Sequence, residues 1–98
     1  MEVQGYDWDD GNRSKCQNHG LSLEEIESVF RHEPNIMMNT KHFTIEERYH
    51  AVGKTDLGRY VFIVFTFRER KDGTLIRPIS ARYMHQKEID HYEDQTKA

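Results

Sequence analysis

Arg77, Ser80 and Arg82 fall within one short run, IRPISARYM at 76–84, whose other residues read as a β-strand. A strand that merely closes a sheet has no use for two fixed cations and a hydroxyl in so few positions. A guanidinium stays charged at any physiological pH, and its planar fork of donors suits two oxygens of a phosphate. Arg48, His50 and Lys54 share one face of a strand candidate, Thr66 and Arg68 one face of the next, and a meander of these strands would gather Arg48, Thr66, Ser80 and Arg82. The cluster has many donors and no metal-ligand character. It points to anion recognition. The plain alternative is that Arg77 or Arg82 pairs with an acid such as Glu47, Glu69 or Glu88.

Other reactive side chains are less telling. The histidine pairs His42/His50 and His85/His91 have no familiar ligand spacing, so neither a metal nor a cofactor is expected. His19, in Asn18-His19-Gly20 at a helix end, is open to two readings, a buried capping group or a proton-transfer group. Cys16 has no base near it in sequence except His19 and is expected to be inert. Tyr49 and Tyr83 lie beside arginines, where they either stack on bases or pack in the core. Tyr6, Trp8, Tyr60 and the aromatics from Phe62 to Phe67 are assigned to the core. Met37 and Met38 either fill a gap or belong to a partner surface.

Charge is unevenly spread. The whole chain carries a formal −3, yet from Lys41 to Arg82 nine basic residues face five acidic ones, leaving +4. A basic middle between acidic ends is compatible with a polyanion meeting the middle of the domain. No apolar run approaches the ~20 residues that span a bilayer. The acidic start lacks the pattern of a signal peptide, and a single cysteine fits a reducing compartment. The expectation is a cytoplasmic protein without membrane contact.

The elements that must position these residues follow from period and punctuation. YDWDD gives a short edge strand with Tyr6 and Trp8 on one side, then an aspartate to cap a helix running to about His19. Ser22 and Glu25 form a capping-box pair ahead of the apolar stripe Leu23, Ile26, Val29 and Phe30. Pro34 stops that helix. NIMMNT is a weak strand candidate, 47–55 a better one, and RYVFIVFTFRE the clearest, apolar on both faces and therefore central. TDLG at 55–58 and Asp72-Gly73 mark hairpins, and HQKEIDHYED is helical. Residues 1–98 thus read as one α+β domain in the order β-α-α-β-β-β-α. Its antiparallel sheet has two N-terminal helices on one face and a C-terminal helix too short to cover the other.

Three segments carry a resemblance. YDWDDGNRSKCQNHGLSLEEIESVF, EERYHAVGKTDLGRYVFIVFTFR and IRPISARYMHQKEIDHYE are similar, in order and spacing, to the BrnT toxin family of bacterial type II toxin–antitoxin modules. The shared pieces are Trp8-Asp9, His19-Gly20 with Ser22, Glu47-Arg48 with Ala51 and Gly53, Gly58-Arg59, and Ile79 to Arg82. The resemblance implies a compact RelE-like domain and a ribonuclease that inhibits translation. It also implies a BrnA-like ribbon-helix-helix antitoxin, in a heterotetramer of two toxins and two antitoxins that meets DNA only through the antitoxin. Members commonly carry lysine where this chain has Asn18.

With RNA as the substrate the candidate residues take roles. Metal-free cleavage uses the 2′-hydroxyl as nucleophile and needs a base, an acid and cations for the charge on phosphorus. His19 and Glu47 are the proton-transfer candidates, Arg48, Arg77 and Arg82 the charge stabilisers. Lys54, Arg59, Arg68, Ser80 and Tyr83 are expected to hold the RNA. The competing function is a regulatory module that binds RNA or a protein without cutting, because arginine clusters bind phosphate whether or not they cleave it.

Overall fold

Asp9 and Ser22 each start a helix in the way their side chains dictate. The structure, a computed structural model, describes residues 3–39 and 47–96, so Lys41, His42 and Glu46 lie outside it. The Asp9 carboxylate accepts from the Asn12 backbone N–H, and the Asn12 side chain returns the bond, opening helix α1 (Asp10–Gln17). Ser22 and Glu25 form the same reciprocal box ahead of helix α2 (Leu23–Arg31). Before α1 comes strand β1 (Gly5–Tyr6), and after α2 come β2 (Asn35–Asn39), β3 (Arg48–Lys54), β4 (Tyr60–Arg70) and β5 (Gly73–Tyr83), closed by helix α3 (Gln86–Thr96).

The strands form one five-stranded sheet in the order β1-β5-β4-β3-β2. The 60–70 strand is central, between β3 and β5, as its two-sided apolar pattern requires. Two features differ from the sequence expectation. NIMMN is a full member of the sheet, which adds a strand to the expected order. The sheet is also mixed: β1 runs parallel to β5, while the other pairs are antiparallel. A two-residue strand has no periodicity of its own, and only its partner sets its direction.

One face of the sheet is dry. Val61, Ile63, Phe65, Ile76, Ala81 and Ala51 project toward α1 and α2 and meet Cys16, Leu21, Ile26 and Val29 in a continuous core. Phe30 of α2 lies edge-on to Phe65 at 5.1 Å. Asn12, buried, donates its side-chain amide to the carbonyls of Asp7 and Pro78, tying α1 to the sheet. Gly53 permits the close pass of α2's end over β3, since a Cβ there would lie 3.0 Å from Pro34.

The hairpin between β4 and β5 turns on Lys71 and Asp72 rather than on Asp72-Gly73. Arg70 pairs with Gly73, and the glycine, at φ +135°, supplies the conformation that the bend needs. Farther along β5 lies an irregularity that decides the chemistry of the opposite face. Ser80 pairs with Val64 but Pro78 pairs with Phe65, so Ile79 is an extra residue, a β-bulge. Proline, which has no N–H to give the ladder, suits such a position.

Candidate functional site: the open face of the sheet

Simple alternation in β5 puts Arg77 on one side of the sheet and Ser80 and Arg82 on the other. The bulge reverses this. Arg77 pairs with Thr66, Ser80 with Val64 and Arg82 with Phe62, and those three partners alternate along β4 on the face away from α1 and α2. From β3, His50 pairs with Val64 and Lys54 with Tyr60, so Arg48, His50 and Lys54 share that face, as does Arg68. Arg48, Arg68, Arg77, Arg82, Lys54, His50 and Ser80 therefore stand on one surface.

The centre of this surface is Phe62. Its ring lies 4.8 Å from the His50 ring and 4.9 Å from the Arg82 guanidinium. It is half-buried, not a core residue as expected, and holds the imidazole and the guanidinium against one apolar floor. Tyr60 also leaves the core: it faces Lys54, whose ammonium is 5.1 Å from its ring centre, and Tyr92 of α3. Arg48 is half-buried and its Nε is shielded from solvent yet donates to no partner among the described residues. A buried N–H of a cation without an acceptor is costly and marks a place where an anion would be welcome.

Arg82 is not bare. Its Nη1 and Nη2 donate to Oε1 and Oε2 of Glu88 at 2.8 and 2.9 Å, the two-point geometry of an arginine–carboxylate fork. Glu88 Oε1 also accepts from the His85 backbone N–H at 2.9 Å, closing the first turn of α3. The Arg82 fork, with the His85 N–H beside it, holds the Glu88 carboxyl down at about 2. One carboxylate thus fixes both the arginine and the helix that overhangs it.

Arg77 is committed differently. It donates to Asp9 at 2.7 Å and to Asp7 at 3.4 Å, and Arg70 reaches Asp7 at 3.1 Å. Asp9 is the cap of α1, so Arg77 clamps β1 and α1 to β5. Its partners were outside the three acids that sequence spacing suggested. Asp9, held by the Asn12 backbone and by Arg77, has a carboxyl below the usual range.

The remaining candidates lie elsewhere. His19 is exposed beyond the end of α1, where Asn18 is the cap, so it is not a buried capping group. The Gly20 that follows it lies beside the Tyr83 ring. Tyr83 belongs to the helix-covered side, carries the Arg59 guanidinium 3.5 Å above its ring, and donates to Glu25 at 2.7 Å. Glu47 is exposed at the start of β3, accepting from the Tyr49 hydroxyl at 3.0 Å, while its carbonyl accepts from Thr66 at 2.6 Å. Tyr83 pairs with Val61 and Glu47 touches Thr66, five residues along β4, or ~16 Å at the usual rise. His19 and Glu47 are thus at opposite ends of the strands and do not share one phosphate.

Three further candidates find their places. Cys16 is fully buried, and burial pushes its thiol up to about 11, so it is a core residue. Tyr49 packs against Phe65 and Phe67. Met37 and Met38, at 54% and 53% exposure, fill no gap. They sit on edge strand β2, which carries no charged residue. His50 was visible in sequence as a neighbour of Arg48 on an alternating strand, but nothing local singled it out from the other histidines.

The fold and this surface define a small α+β domain whose sheet is covered by helices on one side and lined with cations on the other. Such a face suits an extended polyanion. Residues 8–88 match the family model described as Ribonuclease toxin, BrnT, of type II toxin-antitoxin system, and the chain belongs to that family. No curated protein matches the chain. The family makes it a ribonuclease toxin, with RNA as substrate and an antitoxin as partner. No described helix is long and apolar enough to cross a membrane.

Proposed function

We propose that the open sheet face is the active surface of a metal-independent endoribonuclease that cuts messenger RNA in the cytoplasm and so stops translation, on a RelE-like scaffold. The observation that carries this is the meeting of His50 and Arg82 on the Phe62 ring, with Ser80 two residues along β5 and Arg48 farther along the same face, the one that α1 and α2 leave open. In the reaction the 2′-oxygen attacks the adjacent phosphorus, the bond from phosphorus to the 5′-oxygen breaks, and a 2′,3′-cyclic phosphate forms. His50 takes the 2′ proton, and the departing oxygen takes one from water. Arg82 faces the charge that builds on the phosphoryl oxygens, where a fixed fork needs no reorganisation at the moment of reaction, while Arg48, toward the Thr66 end of the face, holds a neighbouring phosphate. Ser80 donates to a phosphate oxygen. Lys54 and Arg68, toward the two ends of the face, hold flanking phosphates, whereas Arg59, stacked on Tyr83 on the helix-covered side, lies off this path.

The antitoxin is a BrnA-like ribbon-helix-helix protein that covers this face, with two toxins and two antitoxins in the complex and DNA bound only by the antitoxin. The uncharged β2 edge supports this. Edge strands normally carry charge against unwanted pairing, whereas this one offers Ile36, Met37 and Met38 to a partner. The decisive test is cleavage of a defined RNA by the purified protein in excess chelator. Products ending in cyclic phosphate and 5′-hydroxyl, lost when the 2′-hydroxyl at the cut site is methylated, are expected. RNA binding without cleavage would leave a binding module instead.

A further inference from the structure

Helix α3 is attached to the domain almost entirely through polar and aromatic contacts. None of its residues is buried. Tyr60 stacks edge-on with Tyr92 at 5.7 Å and donates to Glu93 at 3.1 Å, Asn35 donates to the Tyr92 hydroxyl, and Glu88 holds Arg82. Such a helix is poorly anchored by burial, because only Ile89 and Tyr92 contribute partly covered apolar surface. Its strongest single tie is to the arginine proposed to meet the scissile phosphate.

A carboxylate presents two oxygens to a guanidinium much as a phosphate does. Arg82 has its Nη1 and Nη2 donors aligned on Glu88, and Nη1 also reaches the Tyr83 carbonyl at 3.5 Å. No phosphate can take that fork without replacing the carboxylate. We infer that Glu88 is a built-in competitor for the RNA phosphate, so that α3 acts as a self-inhibitory strap which substrate must displace from Arg82. This rests on the reading of Arg82 as a substrate-contacting residue.

Glu88→Gln separates the two tasks of this side chain. Glutamine keeps an acceptor for the His85 N–H, the usual alternative at this position of a capping box, but loses the charge that competes for Arg82. The probe is a short oligoribonucleotide carrying 2′-O-methyl groups throughout, which binds and cannot be cut. Because exposed ion pairs are weak, Glu88→Gln should tighten its Kd roughly two- to fivefold. Freeing one cation should also steepen the dependence of log Kd on log salt by ~0.7, the increment for one more phosphate contact on a single strand. Asp90→Asn makes the same charge change on α3 without touching Arg82 and should leave the slope unchanged. In an Arg82→Ala background, Glu88→Gln should have no effect on Kd.

A Glu88→Gln protein with α3 still helical and an unchanged or weaker Kd overturns the strap, as does an equal gain from Asp90→Asn. The underlying reading fails in another way, by cleavage that survives Arg82→Ala. If Arg82→Ala abolishes cleavage while Glu88→Gln changes nothing, the arginine's role stands and the strap falls.

Discussion

Arg77 and Arg82 emerge on the same face of the sheet although they are five residues apart in one strand. An odd spacing in regular β-structure puts two side chains on opposite faces, and the extra residue Ile79 corrects the phase. Without it, a strand that buries Ile76 and Pro78 toward the helices would also turn Arg82 into the core. Burying a guanidinium without a partner costs several kcal/mol. Deletion of Ile79 is therefore expected to abolish cooperative thermal unfolding, whereas Ile79→Ala, which keeps the bulge, should retain it. A deletion variant that melts at the wild-type temperature would refute the account of the bulge.

Sharing a face does not make the two arginines equivalent. Arg77 is tied to Asp7 and Asp9 and is 22% exposed, and the strand and helix it clamps come from the start of the chain. Arg77→Ala is expected to lower stability by about 1–2 kcal/mol, as for lost hydrogen bonds to a charged group, with cleavage per folded molecule unchanged. Arg82→Ala should do the reverse: ~10²–10³ lost in cleavage rate, as for one preorganised donor, with little change in melting. Arg82→Lys should recover only part, since it keeps charge and loses the fork. Melting curves and single-turnover cleavage on the same preparations separate the two.

Local chemistry was legible in the sequence and long-range pairing was not. The caps at Asp9 and Ser22, the stop before Pro34, the central place of 60–70 and the donor-rich character of IRPISARYM all follow from residue types within a few positions. Phe62 was misassigned because β4 is apolar on both sides, and pattern alone cannot say which side the helices take. The β-bulge, the parallel seat of β1 and the Asn12 link to Pro78 depend on partners far along the chain. So does the choice of acids: Glu88, six residues from Arg82, was a foreseeable partner, while Asp7 and Asp9 lie 70 and 68 residues from Arg77. The placing of His50 beside Arg82 likewise depends on Phe62, twelve residues along the chain.

The Glu88 pair sets a pH window. Its carboxyl titrates at about 2, below the ordinary glutamate value of 4.5. A folded value below the unfolded one means that the docked helix is favoured above about 4.5 and that the contribution is lost as pH falls toward 2. Backbone amide signals of α3 should therefore report undocking in that interval, ahead of the signals of β4. In Glu88→Gln the same amides should lose this acid step. An α3 that stays docked at pH 2 in the wild type would show that the ion pair does not hold it.

For the antitoxin, the β2 edge gives a test independent of catalysis. Met37 and Met38 point to opposite faces of an edge strand and are both half exposed, so a charge at either is tolerated by the free toxin. Met37→Asp with Met38→Asp should leave melting and RNA cleavage nearly unchanged and weaken antitoxin binding at least tenfold in a titration by calorimetry. Undiminished affinity would move the antitoxin off this edge.

Phe62 and Phe65 are three residues apart on the central strand and serve opposite faces, which makes them a matched pair for separating fold from function. Phe65 is fully buried, with Phe30, Phe67 and Tyr49 around it at 5.1, 5.4 and 5.6 Å. Phe65→Ala should cost ~3–5 kcal/mol through lost burial and the cavity left behind. Phe62 is half-buried on the open face, and its removal deprives the His50 ring and the Arg82 guanidinium of their common floor. Phe62→Ala should cost only ~1–2 kcal/mol in stability, in line with the smaller area it hides. Its effect on cleavage should be larger than that implies, roughly tenfold or more, because small misplacements of reacting groups are expensive. Phe62→Leu restores apolar bulk but not the flat ring, so it should regain stability before activity. Chemical denaturation and cleavage measured together on the three variants decide the matter: a Phe62→Ala protein that cuts RNA at the wild-type rate would show that the His50 and Arg82 pairing across this ring does not form the active centre.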